Sequence, residues 1–122
     1  MPPMGKRSRR RGAETIKAAE SEYRSPEGDV LALRGALTPA ARQEYAAAIG
    51  GSPLSLEDAW QRGVELLFEL LAVRWEIAGA DPIVKQKELI GRYRFATQDE
   101  RRWIREALRE HLAEHFPDVE AP

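Results

Sequence analysis

His111, Glu114 and His115 are the residues whose types and spacing could most directly do chemistry. Four residues apart on a helix, two imidazoles share one face, and the glutamate between them could activate a water bound to a shared metal. Ile104 and Leu108 fall on the same stripe. The alternative reading of the pair is therefore two packed, hydrogen-bonded core histidines. The chain has no other histidine and no cysteine. That excludes thiolate nucleophiles, disulfides and Cys-ligated zinc or clusters, and leaves no further imidazole for a Ser or Asp triad. No glycine-rich phosphate loop is present, and catalysis rests on this one segment.

The order His-x-x-Glu-His resembles the zinc motif of inverted metalloproteases, and the resemblance implies a zinc-dependent hydrolase with His111 and His115 as ligands and Glu114 as base. A second constellation is basic. Residues 82–109 carry Lys85, Lys87, Arg92, Arg94, Arg101, Arg102, Arg105 and Arg109 against four acids. Leu89 to Thr97, leading into Arg101-Arg102-Trp103-Ile104-Arg105, resembles a helix-turn-helix: a short helix, a tight connection, and an arginine-bearing second helix. That resemblance implies DNA contact by Arg92, Arg94, Arg101, Arg102 and Arg105, at phosphates or guanine edges. Arg94 stands where such motifs usually place glycine, and Asp99 and Glu100 put negative charge at the end that enters the groove. The competing reading is an αα-hairpin whose arginines pair with Glu106, Glu110 or acidic residues of the central helix. Tyr93, Phe95 and Trp103 are then core residues sealing that hairpin, where DNA binding would make them stacking platforms.

Charge is unevenly spread. The 122 residues carry a net charge of -1, yet Lys6, Arg7, Arg9, Arg10 and Arg11 lie within the first twelve residues, which hold no acid. A block of like charges without apolar side chains is expected to be a disordered arm, able to neutralise phosphates with strong salt dependence. No apolar run approaches the roughly 18 residues of a membrane span, and no apolar segment follows the basic start. The expectation is a cytoplasmic protein with no membrane contact and no cofactor.

The elements that must hold these residues are mostly helical. Thr38-Pro39 starts one helix, which stops at Gly50-Gly51. Ser55 to Asp58 approximates a capping box opening a long helix to about Ala78, with Gly79 as its stop. Asp81-Pro82 opens a third helix, and the Thr97-to-Glu100 capping box opens a fourth that Pro117 ends. Ala13 to Glu22 reads as a short helix. Tyr23 to Asp29 is a turn cluster flanked by Glu22-Tyr23-Arg24 and Val30 to Leu33, so a small β-hairpin is expected, lying on the helices or paired with another chain. The organisation is an arm over 1–12, a helix and hairpin over 13–37, a helical domain over 38–117 and an acidic tail over 118–122. The fold class is mainly α, a compact bundle of about four helices.

The 56–78 helix organises that bundle. Trp60, Val64, Leu67, Leu71 and Trp75 make one apolar face, and Leu66, Leu70, Val73 and Ile77 make a second. Exposing either would leave a patch that soluble monomers avoid, so the first face is expected to be an interface and the protein a homo-oligomer, a dimer before larger assemblies. Arg74 lies between the two faces and needs a carboxylate partner or a route to water. The sequence therefore points to a small non-catalytic regulatory or adaptor module that binds protein, with weak nucleic-acid contact through the arm. A DNA-binding regulator using residues 85–109 and the zinc hydrolase are the alternatives.

Overall fold

The structure, a computed structural model, describes residues 20–50 and 56–122. The expected basic arm, and with it Lys6, Arg7, Arg9, Arg10 and Arg11, lies outside the described residues, as do most of the expected 13–22 helix and the serine of the 55–58 capping box. The end of that expected helix is strand: Glu20–Arg24 forms β1. The chain turns at Ser25 to Asp29 and returns as β2, Val30–Arg34. Gly28 takes a φ of 94°, open to glycine at no steric cost, and its N–H donates to the Ser25 carbonyl at 3.0 Å. The hairpin is thus present, and its turn chemistry is that of the sequence.

Helix α1, Pro39–Gly50, follows with the expected cap: the Ala41 N–H donates to Thr38 Oγ1 at 3.1 Å. Helix α2 is Leu56–Leu71. It is shorter than its hydrophobic pattern predicts. Ala72–Glu76 leaves the helix as β3 and pairs antiparallel with β2, completing a sheet of order β1-β2-β3. The reason lies in Val73-Arg74-Trp75-Glu76, which alternates apolar and charged at a period of two and is rich in β-formers. Read alone, it is compatible with the helical stripe; beside the unfilled edge of β2 it gains a ladder of backbone bonds. Arg74 consequently lies on the outer sheet face, not between two helical faces. It is ion-paired with Glu76 at 2.6 Å and with Glu22, which flanks Ala32 from the other side.

The free edge of β3 is partly used as well: Trp75 and Ile83 exchange backbone hydrogen bonds of 2.9 and 2.8 Å. That pairing holds Ile83 extended, so α3 begins at Gln86 and runs to Arg94, later than Asp81-Pro82 predicts. Helix α4, Gln98–His115, opens with the capping box read in the sequence: Thr97 Oγ1 accepts from the Glu100 N–H, and the Thr97 N–H donates to Glu100 Oε1. After Pro117 the acidic tail docks. Tyr45 donates to the Glu120 carbonyl at 2.6 Å, and Arg109 to that of Pro122 at 2.9 Å. The described residues thus hold four helices and a three-stranded antiparallel sheet, a mixed architecture around a helical core and not a pure bundle.

The core also reassigns the face expected to be an interface. Val64, Leu67, Leu71 and Trp75 are buried within one chain, against the sheet residues Leu31 and Leu33 and the α4 residues Ile104, Leu108 and Leu112. Trp60 is partly buried and packs on the same cluster. Sheet and helices cover Val64, Leu67, Leu71 and Trp75, so these four are not a surface on which a second chain could sit, while Trp60 stays partly exposed.

Candidate functional site

The histidines of α4 face the hairpin. His111 is fully buried, and both ring nitrogens are engaged. Its Nε2 lies 2.8 Å from the Arg34 carbonyl, which can only accept, so Nε2 carries the proton and Nδ1 accepts from the Tyr23 hydroxyl at 2.7 Å. Burial lowers the His111 pKa, against the bond to Arg34, and the neighbouring His115 lowers it further. Burial, with Glu114 and Glu110 nearby, pushes the Tyr23 hydroxyl up to about 12, so it remains a donor. His115 stacks obliquely at 4.5 Å from His111 and meets Ser21 Oγ at 3.1 Å. The zinc reading requires a free imidazole lone pair on each histidine. In this arrangement the lone pair of His111 belongs to Tyr23 and its proton to Arg34. The histidine pair is a clasp that fixes β1 and β2 to α4.

The five arginines of the basic face are held as well. Arg92 pairs with Glu100 at 2.7 Å and lies over the Trp75 ring at 5.0 Å. Arg94 pairs with Glu65 at 3.1 Å, and Arg102 with Asp99 at 3.2 Å. Arg101 caps the C-terminus of α3, donating to the Arg94 carbonyl at 3.0 Å with its guanidinium 5.0 Å from the Tyr93 ring centre. Arg105 approaches Glu57 at 3.6 Å. The partners are Glu57 and Glu65 of the central helix with Asp99 and Glu100 of α4 itself; the expected Glu106 and Glu110 pair with none of these arginines among the described residues. Tyr93 is buried and stacks on Phe68 at 4.9 Å; Phe95 is largely exposed. Arg101, Arg102 and Arg105 line one recess between α2 and α4, and Arg92 and Arg94 lie outside its lining.

What the motif search passed over is the edge strand. Glu20, Glu22 and Arg24 are exposed, while Ser21 and Tyr23 turn inward toward α4. No described strand pairs with the outer edge of β1. The Ser25 N–H donates to the Asp29 carbonyl, so hydrogen-bonded pairs alternate back along the hairpin through Tyr23 with Leu31 and Ser21 with Leu33. The N–H and C=O groups of Glu20, Glu22 and Arg24 then point away from β2, toward the open edge. Its signal in the sequence is the period-two alternation of Glu20-Ser21-Glu22-Tyr23-Arg24, the start of which also fits the expected 13–22 helix.

No family model, no curated protein and no solved structure matches this chain. No described helix is long and apolar enough to cross a membrane.

Proposed function

We propose that the protein is a non-catalytic association module that binds by strand addition at β1, with a second copy of itself as the partner. One observation carries this reading: an open strand edge whose charge pattern is complementary to itself. When two copies of β1 pair antiparallel about Glu22, the outward backbone groups of Glu20, Glu22 and Arg24 meet one another. Glu20 then stands opposite Arg24 of the second copy, twice by symmetry. Glu22 would face its own equivalent, but each Glu22 already has Arg74 and, at 3.5 Å, Arg24 as counter-charges.

The commitment of both histidines to internal contacts favours this reading over a hydrolase, and the ion pairs of Arg92 with Glu100 and of Arg94 with Glu65 favour it over a base-reading helix. The basic run of residues 6–11 would add salt-sensitive contact to nucleic acid, and the cytoplasm remains the expected location. Sedimentation of the full chain over a range of concentrations tests the proposal. The expected particle at high concentration is about twice 13.8 kDa. Glu22→Pro should return it to the monomer, because it removes an outward N–H and leaves the bonds between β1 and β2 in place. A chain that stays monomeric throughout, or a proline variant that associates as the parent does, would count against strand addition.

A further inference from the structure

We propose that the recess between α2 and the N-terminal half of α4 binds the phosphate groups of a small phosphorylated molecule, with Arg101, Arg102 and Arg105 as its donors. The recess is open to solvent on one side and has a volume of about 520 Å³, within the range in which proteins hold small ligands. Three guanidiniums line it against one carboxylate, Glu57, with the side-chain amides of Gln61 and Gln98 as neutral partners. Arg101 is already positioned by the Tyr93 ring and the last carbonyls of α3, so binding need not order it.

Arg105 is the group left incomplete by the fold. Its Nε is buried and meets no acceptor among the described residues, and the approach of Nη1 to Glu57, at 3.6 Å, is longer than a charge-assisted hydrogen bond. The guanidinium is one-third exposed and lines the recess, so a phosphate oxygen would displace that carboxylate at Nη1 and leave the buried Nε as it is. Arg102 needs only to turn from Asp99, an exposed pairing that contributes little. The forked donors of arginine suit phosphate geometry. A phosphate ester or pyrophosphate has more oxygens and more charge than a single carboxylate and can engage all three arginines.

This inference is independent of association at β1. Full-length protein is titrated with inorganic pyrophosphate at constant ionic strength, followed by calorimetry and by backbone amide shifts. The expected result is saturable binding, with the largest shifts along residues 98–105. Arg102→Ala should weaken it about tenfold, while Lys87→Ala, which removes an exposed charge from α3, leaves it unchanged. Arg105→Lys keeps the charge but loses the fork and should also weaken binding. If that variant does not fold, Arg102→Ala on its exposed side chain still decides. Absence of saturation at tens of millimolar, an equal loss in Lys87→Ala, or citrate binding as tightly as pyrophosphate would overturn the proposal.

Discussion

His111 shows how one residue's surroundings choose between two chemistries. In the sequence its spacing from Glu114 and His115 fits a metal site; in the fold its two nitrogens close a bond to β1 and a bond to β2. Tyr23→Phe should cost about 1–3 kcal/mol in urea unfolding, because it leaves a buried Nδ1 without a donor. The lowered His111 pKa has a further consequence. Below the ordinary imidazole value of 6.5 the unfolded chain takes up a proton that the folded chain resists. Stability should therefore be complete above that value and fall as pH drops from about 6.5 toward the lower folded pKa. Urea melts between pH 7.5 and pH 5 measure this slope, and His111→Gln should flatten it. Glu100 behaves separately. Burial opposes its charge, but the Thr97 N–H and Arg92 outweigh burial and hold it below the usual carboxylate range, so its contribution is lost only at more acidic pH. That His111 is a clasp was not readable beforehand, because Tyr23 and Arg34 lie far from it in the chain and only the hairpin brings them together.

At the scale of elements, the local signals were the legible ones. Thr38 and Thr97 cap their helices, and the turn around Gly28 forms, because each depends on residues within one turn of the chain. Thr97→Ala should lower stability by about 1 kcal/mol through loss of the capping box. The change from helix to strand at Ala72 was not legible, since the deciding partner is β2, far upstream, and the apolar residues of 72–77 fit both periods. Two glycines give a matched test of the packing between α1 and α2. A Cβ on Gly63 would lie 2.5 Å from Ile49 Cγ2 and 3.2 Å from the Tyr45 ring, whereas one on Gly91 meets nothing within 4 Å. Gly91→Ala should stabilise by about 0.5–1 kcal/mol from helix propensity alone. Gly63→Ala receives the same propensity gain and should still destabilise, by about 1 kcal/mol net, because α1 must move away. Thermal melts of the two variants, read against the parent, give the signs.

For the whole molecule, the sequence conveyed that a helical core would form and that a large apolar face needed covering. It could not convey that the sheet would do the covering. Burial of Val64, Leu67, Leu71 and Trp75 in one chain removes the argument from the first apolar face, while Leu66, Leu70, Val73 and Ile77 of the second are only partly buried; the edge of β1 supplies a different argument for self-association. Pairing at β1 sets Glu20 of one copy opposite Arg24 of the other. Its charge pattern gives the most direct test. Arg24→Glu turns two attractions into two repulsions across the paired strands, each worth about 0.2–1 kcal/mol. Sedimentation equilibrium of the parent, of Arg24→Glu, and of the double variant Glu20→Arg with Arg24→Glu reads these directly. Association at β1 predicts that the single change weakens the dimer severalfold and that the double change, which restores opposite charges, recovers it. A double variant that remains as weak as the single one, or a parent with no dimer to weaken, would contradict the account.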